Sequence, residues 1–308
     1  MIIKTPSRIH MTLIDMNASL GRMDGGIGLA LKEPCIEISA KKAEGVSATG
    51  LLKERAKDAS RRTLNALEIE GGIKVNVSNA FSQHVGLGSG TQIALAAGMS
   101  VCKLYKKDLP LEELSRIVGR GGTSGIGTYA FQRGGFIIDG GHSLKDKKDF
   151  LPSSASKAPL PPVLLRTDFP DWKIALLTPK VKNLFKGSRE VGIFQKFCPV
   201  PPGEVEKLSR IILMMILPSI LEEDIKMFGD GINKIQKIGF KSIEVALQRK
   251  EIRVLMDTCR KYSYGVGLSS FGPTIYCIIK DERGLKSAAG ELAKITVTKA
   301  SNRGATIT

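Results

Sequence analysis

The spacing of hydrophobic and polar residues divides the first half of the chain into two kinds of segment, one with the periodicity of a strand and one with that of a helix. Apolar residues alternate with polar ones near the N-terminus, as in a half-buried strand. Further along they recur at helical spacing, with Lys, Arg and Glu opposite the apolar stripe. These patterns predict strands at 2–15, 36–40 and 74–77, helices at 51–67, 91–105 and 111–118, and a glycine-rich turn at 21–28.

The second half continues the mixture of strands and helices. Short apolar runs predict strands at 134–139, 173–177 and 275–279, an extended segment at 294–298, and helices over most of 204–262 and at 285–293. The segment 150–162 is rich in Pro, Ser and Ala, which is typical of a domain junction. We therefore predict an α/β (or α+β) protein with two domains, 1–162 and 163–308.

Bulk composition indicates a soluble globular protein. The chain has 308 residues, of which 42% are hydrophobic and 25% charged. The opening residues do not resemble a signal peptide, and the longest apolar run, 211–217, is too short to span a bilayer. Five scattered cysteines form no CxxC pair. We expect a cytoplasmic protein without a membrane partner, a zinc site or a disulfide framework.

The charge of the chain favours anionic partners. Its formal net charge is +16, from 46 basic and 30 acidic residues. Aromatic residues make up only 6%, and no nucleic-acid-binding motif is present. A small polyanionic substrate is therefore expected, with no nucleic acid, and nucleic-acid binding is retained as an alternative.

The segment 84–92 is the most informative motif. Glycines let a backbone approach a ligand closely, and the helix predicted to follow would present free N–H groups and a positive dipole end. The alternative is an ordinary strand–helix turn. The predicted phosphate-binding residues of this loop are Gly86, Gly88, Ser89, Gly90, Thr91 and Gln92.

Two further glycine-rich segments could bind anions or serve only as structural loops. Residues 119–141 hold nine glycines in 23 positions, and residues 265–274 precede an apolar strand. The predicted binding residues of these two segments are Thr123, Ser124, Gly125, Ser269, Ser270 and Gly272.

Few side chains suit acid–base chemistry. Asp139 and His142 follow one apolar strand across two glycines, so both could reach a cleft. His10 and Asp15 lie five positions apart, on opposite faces of a regular strand, which weakens a direct pair. A structural role is the alternative for each histidine. Predicted clamps for a phosphate or a carboxylate are Arg8, Arg22, Arg133, Lys186 and Arg189.

Three segments of the chain resemble the GHMP kinase superfamily. They are the opening strand around 5–9, the loop 85–90, which is similar to that family's Gly-Leu-Gly-Ser-Ser motif, and the late loop 265–274. The resemblance implies an N-terminal domain with a left-handed β-α-β unit, a ferredoxin-like C-terminal domain and an active site between them.

A closer resemblance is to one branch, the β-ribofuranosylaminobenzene 5′-phosphate synthases of methanopterin biosynthesis. It is carried by the segments 8–17, 21–28, 86–92 and 134–142. It implies a transferase that condenses phosphoribosyl pyrophosphate with an aromatic carboxylate, 4-hydroxybenzoate or para-aminobenzoate. Carbon dioxide and pyrophosphate would leave as a C-riboside forms. The resemblance also implies a homodimer.

Departures from the kinase pattern favour this branch. Gly90 stands where the kinases have a second serine, and Gly127 where many have a catalytic aspartate. A glycine cannot accept or orient a substrate proton. An ATP-dependent small-molecule kinase nevertheless stays the first alternative.

The synthase resemblance implies a magnesium ion that stabilises the leaving pyrophosphate. The predicted ligands are Thr91, Asp24 and Asp139, with Asp15 a further carboxylate. A base that deprotonates a phenol is expected among Asp139, His142, His10 and Asp15.

Overall fold

The computed structural model describes residues 1–153, 155–181 and 188–308. Within them, two sheets carry the fold. The strands are β1 (Ile2–Asp15), β2 (Arg22–Ala43), β3 (Val46–Gly50), β4 (Gly72–Asn79), β5 (Phe136–Asp139), β6 (His142–Ser143), β7 (Val163–Thr167), β8 (Ile174–Pro179), β9 (Ser263–Leu268), β10 (Ile275–Ile279), β11 (Ala293–Thr298) and β12 (Thr306–Ile307).

The helices cover one side of the first sheet and much of the second half. Their bounds are α1 (Lys53–Ala66), α2 (Ser89–Leu104), α3 (Leu111–Ile117), α4 (Ile126–Arg133), α5 (Ser188–Phe197), α6 (Pro202–Ile211), α7 (Leu217–Leu221), α8 (Ile225–Ile235), α9 (Gly239–Ala246), α10 (Lys250–Arg260) and α11 (Glu282–Ala289), with a π-helical turn at Ile212–Ile216. None of the helices in the described part of the chain is long and apolar enough to cross a membrane.

The first sheet is built on two long antiparallel strands. Its main path runs β12-β1-β2-β4-β3, and β5 pairs with β2 and β7. β3 and β4 are parallel and are joined through α1, which is the β-α-β unit expected in this half. The helices α1 and α2 pack an apolar face on this sheet, since Ala56, Ile93 and Leu95 are buried in one core cluster with strand residues.

The second sheet has the strand order β11-β8-β10-β9, with every pair antiparallel. Numbered along the chain within this sheet, the order is fourth, first, third, second, which is the ferredoxin-like order. The predicted fold class is thereby confirmed. One core cluster joins the halves, because Ile9 and Leu29 of the first sheet pack in it with Phe228 of α8 and Tyr276 of β10.

The predicted turn at 21–28 is wrong. From residue 22 onward this segment is the first part of β2, paired with β1 and β5. Its glycines serve close packing: a Cβ at Gly28 would lie 2.3 Å from Cγ2 of Ile126. A glycine cluster therefore marks a crowded strand here, which sequence pattern alone does not distinguish from a turn.

Five strands were not predicted, namely β3, β6, β7, β9 and β12, and β9 occupies part of the segment 265–274 that was expected to be a loop. β7 and β12 follow residue 162 in the sequence, yet both pair within the first sheet, with β5 and β1 respectively. The exact division of the chain into 1–162 and 163–308 stays a prediction.

Candidate active site

Three sequence motifs meet where the halves join. The backbone N–H of Arg8 on β1 donates to the carbonyl oxygen of Leu87 at 3.1 Å. The Ser269 hydroxyl donates to the carbonyl oxygen of Gly86 at 2.7 Å and accepts from the His10 N–H at 3.1 Å. The opening strand, the glycine loop and the late loop are thus bound together by direct hydrogen bonds.

A cavity of about 310 Å³ opens at this junction. Residues from both halves line it, including the start of α2, the segment before α4, and parts of α5 and α9. The predicted site residues that line the cavity are Arg8, His10, Gly86, Gly88, Ser89, Gly90, Thr91, Thr123, Ser124, Ser270 and Gly272.

The glycine loop, within the segment 84–92, leads directly into α2, so the N-terminus of this helix lies at the cavity. Gly88 precedes the helix with φ +83°, a left-handed conformation that favours glycine. No side chain caps the helix, and the Thr91 and Gln92 amides both donate back to the Gly88 carbonyl. The amides of the first turn and the helix dipole therefore favour an anion here.

Three arginines surround this helix end. Arg8 passes beside Gly88, where an added Cβ would lie 3.1 Å from its Cγ, and it donates to the Gly86 carbonyl at 2.5 Å. Arg55 and Arg120 flank Gly90, each within 4 Å of an added Cβ. Burial lowers the pKa of Arg8 to about 10, so it stays charged at neutral pH. This end of the cavity suits a polyanion.

Sequence reasoning missed Arg55 and Arg120. Arg55 falls on the polar face of a predicted helix, where a basic residue is usually solvated, and Arg120 sits in a connecting segment. Within the described residues, Nε and Nη2 of Arg120 are buried without a hydrogen-bond partner. Arg55 lies on α1 and Arg120 follows α3, so only tertiary packing brings these side chains to the glycine loop.

Another part of the cavity lining is acidic and aromatic. Glu190 on α5 and Glu244 on α9 are the carboxylates that line it in the described residues, together with Phe194 and Phe271. Glu244 is buried and forms an ion pair with the buried Lys241. Burial raises the pKa of both carboxyls, that of Glu190 to about 7, and the charge of Glu244 contributes to the shift at Glu190. Sequence analysis did not identify either glutamate.

His10 also lines the cavity. Its side chain is buried, and neither ring nitrogen has a hydrogen-bond partner in the described part of the protein. Burial lowers its pKa well below 6.5, and the charges of Arg8 and Lys241 lower it further. The imidazole is therefore neutral at pH 7 and can donate to or accept from a ligand.

Asp139 lies behind the cavity wall. It is fully buried and accepts hydrogen bonds from Ser124 Oγ (3.0 Å), the Gly125 N–H (2.9 Å) and the Gly141 N–H (3.1 Å). Burial raises its pKa to about 6 in spite of these bonds. The carboxylate holds the segment before α4 in place, and it contacts the cavity only through Ser124.

His142 and Asp24 form a second buried group. His142 Nδ1 lies 2.7 Å from Asp24 Oδ2, and its Nε2 lies 2.8 Å from the Pro159 carbonyl oxygen. Lys147 Nζ donates to both Asp24 oxygens, at 2.9 and 3.2 Å. These three side chains satisfy one another and do not line the cavity.

The remaining predicted residues have structural contacts. Asp15 accepts the amides of Asn17 and Ala18 in a turn, and Arg22 donates to the carbonyls of Gly140 and Gly141. The structure does not bring these two to the cavity lining. Gln92, Gly125, Ser269, Arg133 and Arg189 also lie off the lining, and Lys186 falls outside the described residues.

The predicted magnesium ligands do not fit as a set. Both oxygens of Asp24 are bound by Lys147, and Asp139 is enclosed by three N–H and O–H donors, whereas Thr91 alone lines the cavity. In the described part of the chain, no cluster of three or more His, Cys, Asp or Glu residues could hold a metal ion.

Family models match both halves of the chain. The GHMP kinase N-terminal domain matches residues 51–135, and the GHMP kinase C-terminal domain matches residues 216–296.

Curated relatives match along the full length. β-Ribofuranosylphenol 5′-phosphate synthases of Methanocaldococcus jannaschii (44% identity), Archaeoglobus fulgidus (45%) and Methanothermobacter thermautotrophicus (45%) each align with 99% of this chain and 98–99% of their own. This chain belongs to the β-ribofuranosylphenol 5′-phosphate synthase family. The prediction of a transferase enzyme is confirmed at the level of the family.

The fold of this chain is similar to that of solved kinase structures. The mevalonate kinase of Methanococcus jannaschii superposes with a TM-score of 0.69 at 15% identity, covering 98% of both chains. A homoserine kinase of Cytophaga hutchinsonii superposes with a TM-score of 0.65 at 12% sequence identity, and the match covers 100% of this chain and 96% of the kinase chain. At such identities the likeness concerns the fold alone.

The two departures from the kinase pattern both lie on the cavity of this synthase family member. Gly90 and Gly127 line it, and Gly127 packs against Thr91, with an added Cβ 3.2 Å from Thr91 Cγ2. The Gly127 carbonyl accepts from Gln92 Nε2 at 2.7 Å. Position 127 therefore offers the cavity no carboxylate.

Proposed function

We propose that this protein condenses phosphoribosyl pyrophosphate with 4-hydroxybenzoate to a ribofuranosylphenol 5′-phosphate, releasing carbon dioxide and pyrophosphate. The full-length similarity to three synthases of that name carries the proposal. The word phenol in those names favours the hydroxy acceptor over the amino acceptor. The product would serve methanopterin biosynthesis, as the resemblance implies.

The arginine end of the cavity supports binding of the donor. Phosphoribosyl pyrophosphate carries two anionic groups, and Arg8, Arg55 and Arg120 surround the N-terminus of α2. Preorganised amides and guanidinium groups stabilise the charge that develops on departing pyrophosphate. Ribose C1 thereby gains the oxocarbenium character that an aromatic carbon can attack.

No base is needed to remove a proton from the ring carbon that is attacked. Attack occurs at the carbon that bears the carboxylate, and the electrons of the C–CO₂ bond restore aromaticity when carbon dioxide leaves. The attacked ring carbon carries no proton for a kinase-like carboxylate at position 127 to remove, which agrees with the glycine there. An ATP-dependent kinase would need that base from another residue.

Magnesium and a homodimer remain predictions. The ion would arrive on the pyrophosphate oxygens, since Mg²⁺ binds substrate phosphates and keeps several waters. Chelation by EDTA should then abolish turnover, and added Mg²⁺ should restore it.

Carbon dioxide release tests the proposal. Purified protein is incubated with phosphoribosyl pyrophosphate, Mg²⁺ and carboxyl-labelled 4-hydroxybenzoate, and labelled CO₂ and pyrophosphate should form in equal amounts. Turnover of ATP on an alcohol without CO₂ release would favour the kinase instead. Salt-sensitive binding of DNA or RNA with neither activity would favour a nucleic-acid-binding protein.

A substitution in the glycine loop sharpens this test. Gly88→Asp places a carboxylate beside Arg8 at the helix N-terminus, so kcat/KM for phosphoribosyl pyrophosphate should fall by at least about 100-fold. Gly21→Asp is the matched control, since Gly21 also has positive φ (+82°) but open space around it. Unchanged donor affinity in Gly88→Asp would contradict the loop assignment.

A further inference from the structure

Two helices bring carboxyl and aromatic side chains to the cavity: Glu190 and Phe194 of α5 and Glu244 of α9 line it, and Phe240 of α9 packs behind Phe194. α5 carries Glu190 and Phe194 one turn apart, and α9 carries Phe240 and Glu244 one turn apart, so each pair shares a helix face. The ring centroids of Phe194 and Phe240 lie 4.8 Å apart, and Phe271 lies 6.2 Å from Phe194. The result is an aromatic wall with two carboxyl groups beside it.

The polarity of this cavity matches that of a para-substituted benzoate. Glu190 and Glu244 on the lining would repel the carboxylate of the acceptor, and the arginines on the lining would attract it. The carbon that bears the carboxylate must also approach the ribose, whose phosphates belong at the arginine end. The hydroxyl group, on the opposite side of the ring, then points towards Glu190 and Glu244.

We propose that Glu190 is the base that accepts the phenol proton of the acceptor, while Phe194 and Phe271 hold its ring. This inference rests on the proposed function. Glu190 is half-buried and lines the cavity. Glu244 is less suited because its carboxylate is paired with the ammonium group of Lys241.

The residues first considered as bases are less suited than Glu190. Asp139 and His142 lie off the cavity lining, and Asp15 bonds within a turn. His10 lines the cavity but is a weak base there, because burial and two neighbouring cations lower its pKa.

The proton and electron balance closes without an added reagent. Glu190 takes the phenol proton, and electron density moves through the ring to the carboxylate-bearing carbon. That carbon bonds to ribose C1 as the bond from C1 to pyrophosphate breaks, giving a cyclohexadienone. Loss of CO₂ returns the electron pair to the ring and the oxygen becomes a phenolate, which takes the proton back from Glu190.

The surroundings of Glu190 suit a proton acceptor near neutral pH. The titratable groups that share the cavity lining with it are Glu244 on α9, Arg8 and His10 on β1, Arg55 on α1, His84 and Arg120, and Lys241 lies behind Glu244. Burial and Glu244 raise the pKa of Glu190 to about 7. The carboxyl group can therefore both accept and return a proton in the working pH range.

Glu190→Gln tests the proposal, with the exposed Glu251→Gln as the matched control. Two acceptors are compared, 4-hydroxybenzoate and 3,5-difluoro-4-hydroxybenzoate, whose fluorines make the phenol more acidic. With 4-hydroxybenzoate, kcat in Glu190→Gln should fall by about 10²–10⁴-fold. The difluoro acceptor needs the base less. Its ratio of wild-type to variant kcat should therefore be at least about tenfold smaller than the same ratio with 4-hydroxybenzoate. The acidic limb of the wild-type pH profile near 7 should vanish in the variant.

Binding of phosphoribosyl pyrophosphate, measured by calorimetry, separates a chemical effect from a structural one. The expected result is unchanged donor affinity in Glu190→Gln. Equal losses with both acceptors, lost donor affinity or wild-type activity in the variant would each overturn the inference. If wild-type protein releases no CO₂ from 4-hydroxybenzoate, the proposed function itself fails.

Discussion

At the scale of single residues, the cavity is shaped by polar side chains that are buried and satisfied by the backbone. Asp139 is the clearest case, because it binds two backbone amides and one hydroxyl and still has a raised pKa. Burial thus outweighs three favourable hydrogen bonds. The native state holds the proton of this carboxyl more tightly than the unfolded chain does.

Stability should therefore depend on pH through Asp139. Its pKa is about 6 in the folded protein against an ordinary 3.8, so both states are protonated below about pH 4 and both ionised well above pH 6. Between these limits the native state increasingly carries the cost of a buried charge, up to about 3 kcal/mol. The free energy of urea unfolding of wild type, measured relative to Asp139→Asn, should fall by about 2 kcal/mol from pH 4 to 6.5.

A matched comparison isolates this effect from other carboxyl groups. Asp146 is exposed, so Asp146→Asn should leave the pH dependence of wild type unchanged. If wild type and Asp139→Asn show parallel curves, the Asp139 carboxyl is not perturbed.

At the scale of elements, the segment 144–153 contributes to the cavity lining, and its buried Lys147 connects it to two other segments. Pro152 and Ser153 line the cavity. Lys147, earlier in the same segment, is buried and donates to Asp24, to Thr123 Oγ1 (3.2 Å) and to the Leu151 carbonyl oxygen (3.0 Å). One ammonium group thus connects this segment, β2 and the segment before α4.

Replacing Lys147 by Met should damage both stability and donor binding. The change leaves the buried Asp24 carboxylate with His142 alone, which should cost about 3–5 kcal/mol of unfolding free energy in urea. KM for phosphoribosyl pyrophosphate should rise as well, since Pro152 and Ser153 lose their support. Lys145→Met, an exposed neighbour, should change neither quantity. Equal behaviour of the two variants would show that Lys147 does not tether the segment.

At the scale of the whole molecule, the site depends on contact between the halves at Gly86. An added Cβ there would lie 2.3 Å from the Ser269 carbonyl oxygen and 2.7 Å from Gly272 Cα. Gly86 also has φ +87°, which favours glycine. The glycine loop and the late loop can therefore approach only because position 86 has no side chain.

Gly86→Ala should separate the loops. Gly21→Ala, with similar φ but open space, should cost about 1 kcal/mol from backbone strain alone. Gly86→Ala should cost about 1–3 kcal/mol more, from crowding, and should lower the rate of CO₂ release. Urea unfolding and the labelled-CO₂ assay measure both effects, and equal stability of the two variants would refute the contact.

Local pattern was sufficient to predict much of the framework. The helix α1 lies close to its predicted position because it buries one face and its periodicity records that face. The helix α2 and the strand β10 are buried on most sides and were recognised as apolar runs, and β1, buried along most of its length, also lies close to its predicted position. The glycine loop was recognised for a similar reason, since its features occupy consecutive positions. The turn at 21–28 failed because glycine permits turns and close strand packing alike, and the choice depends on Ile126, far along the chain.

By itself, the sequence determined the α/β class, the glycine loop at the start of α2 and the absence of a kinase-like aspartate at position 127. Only the tertiary structure decided which charged side chains face the cavity. Arg55, Arg120, Glu190 and Glu244 come from separate elements, and nothing in their neighbours along the chain marks them. Asp24 and His142 were expected at the site, yet their bonds to each other and to Lys147 keep them behind it. Burial and partners are set by contacts distant in sequence, which local pattern does not record.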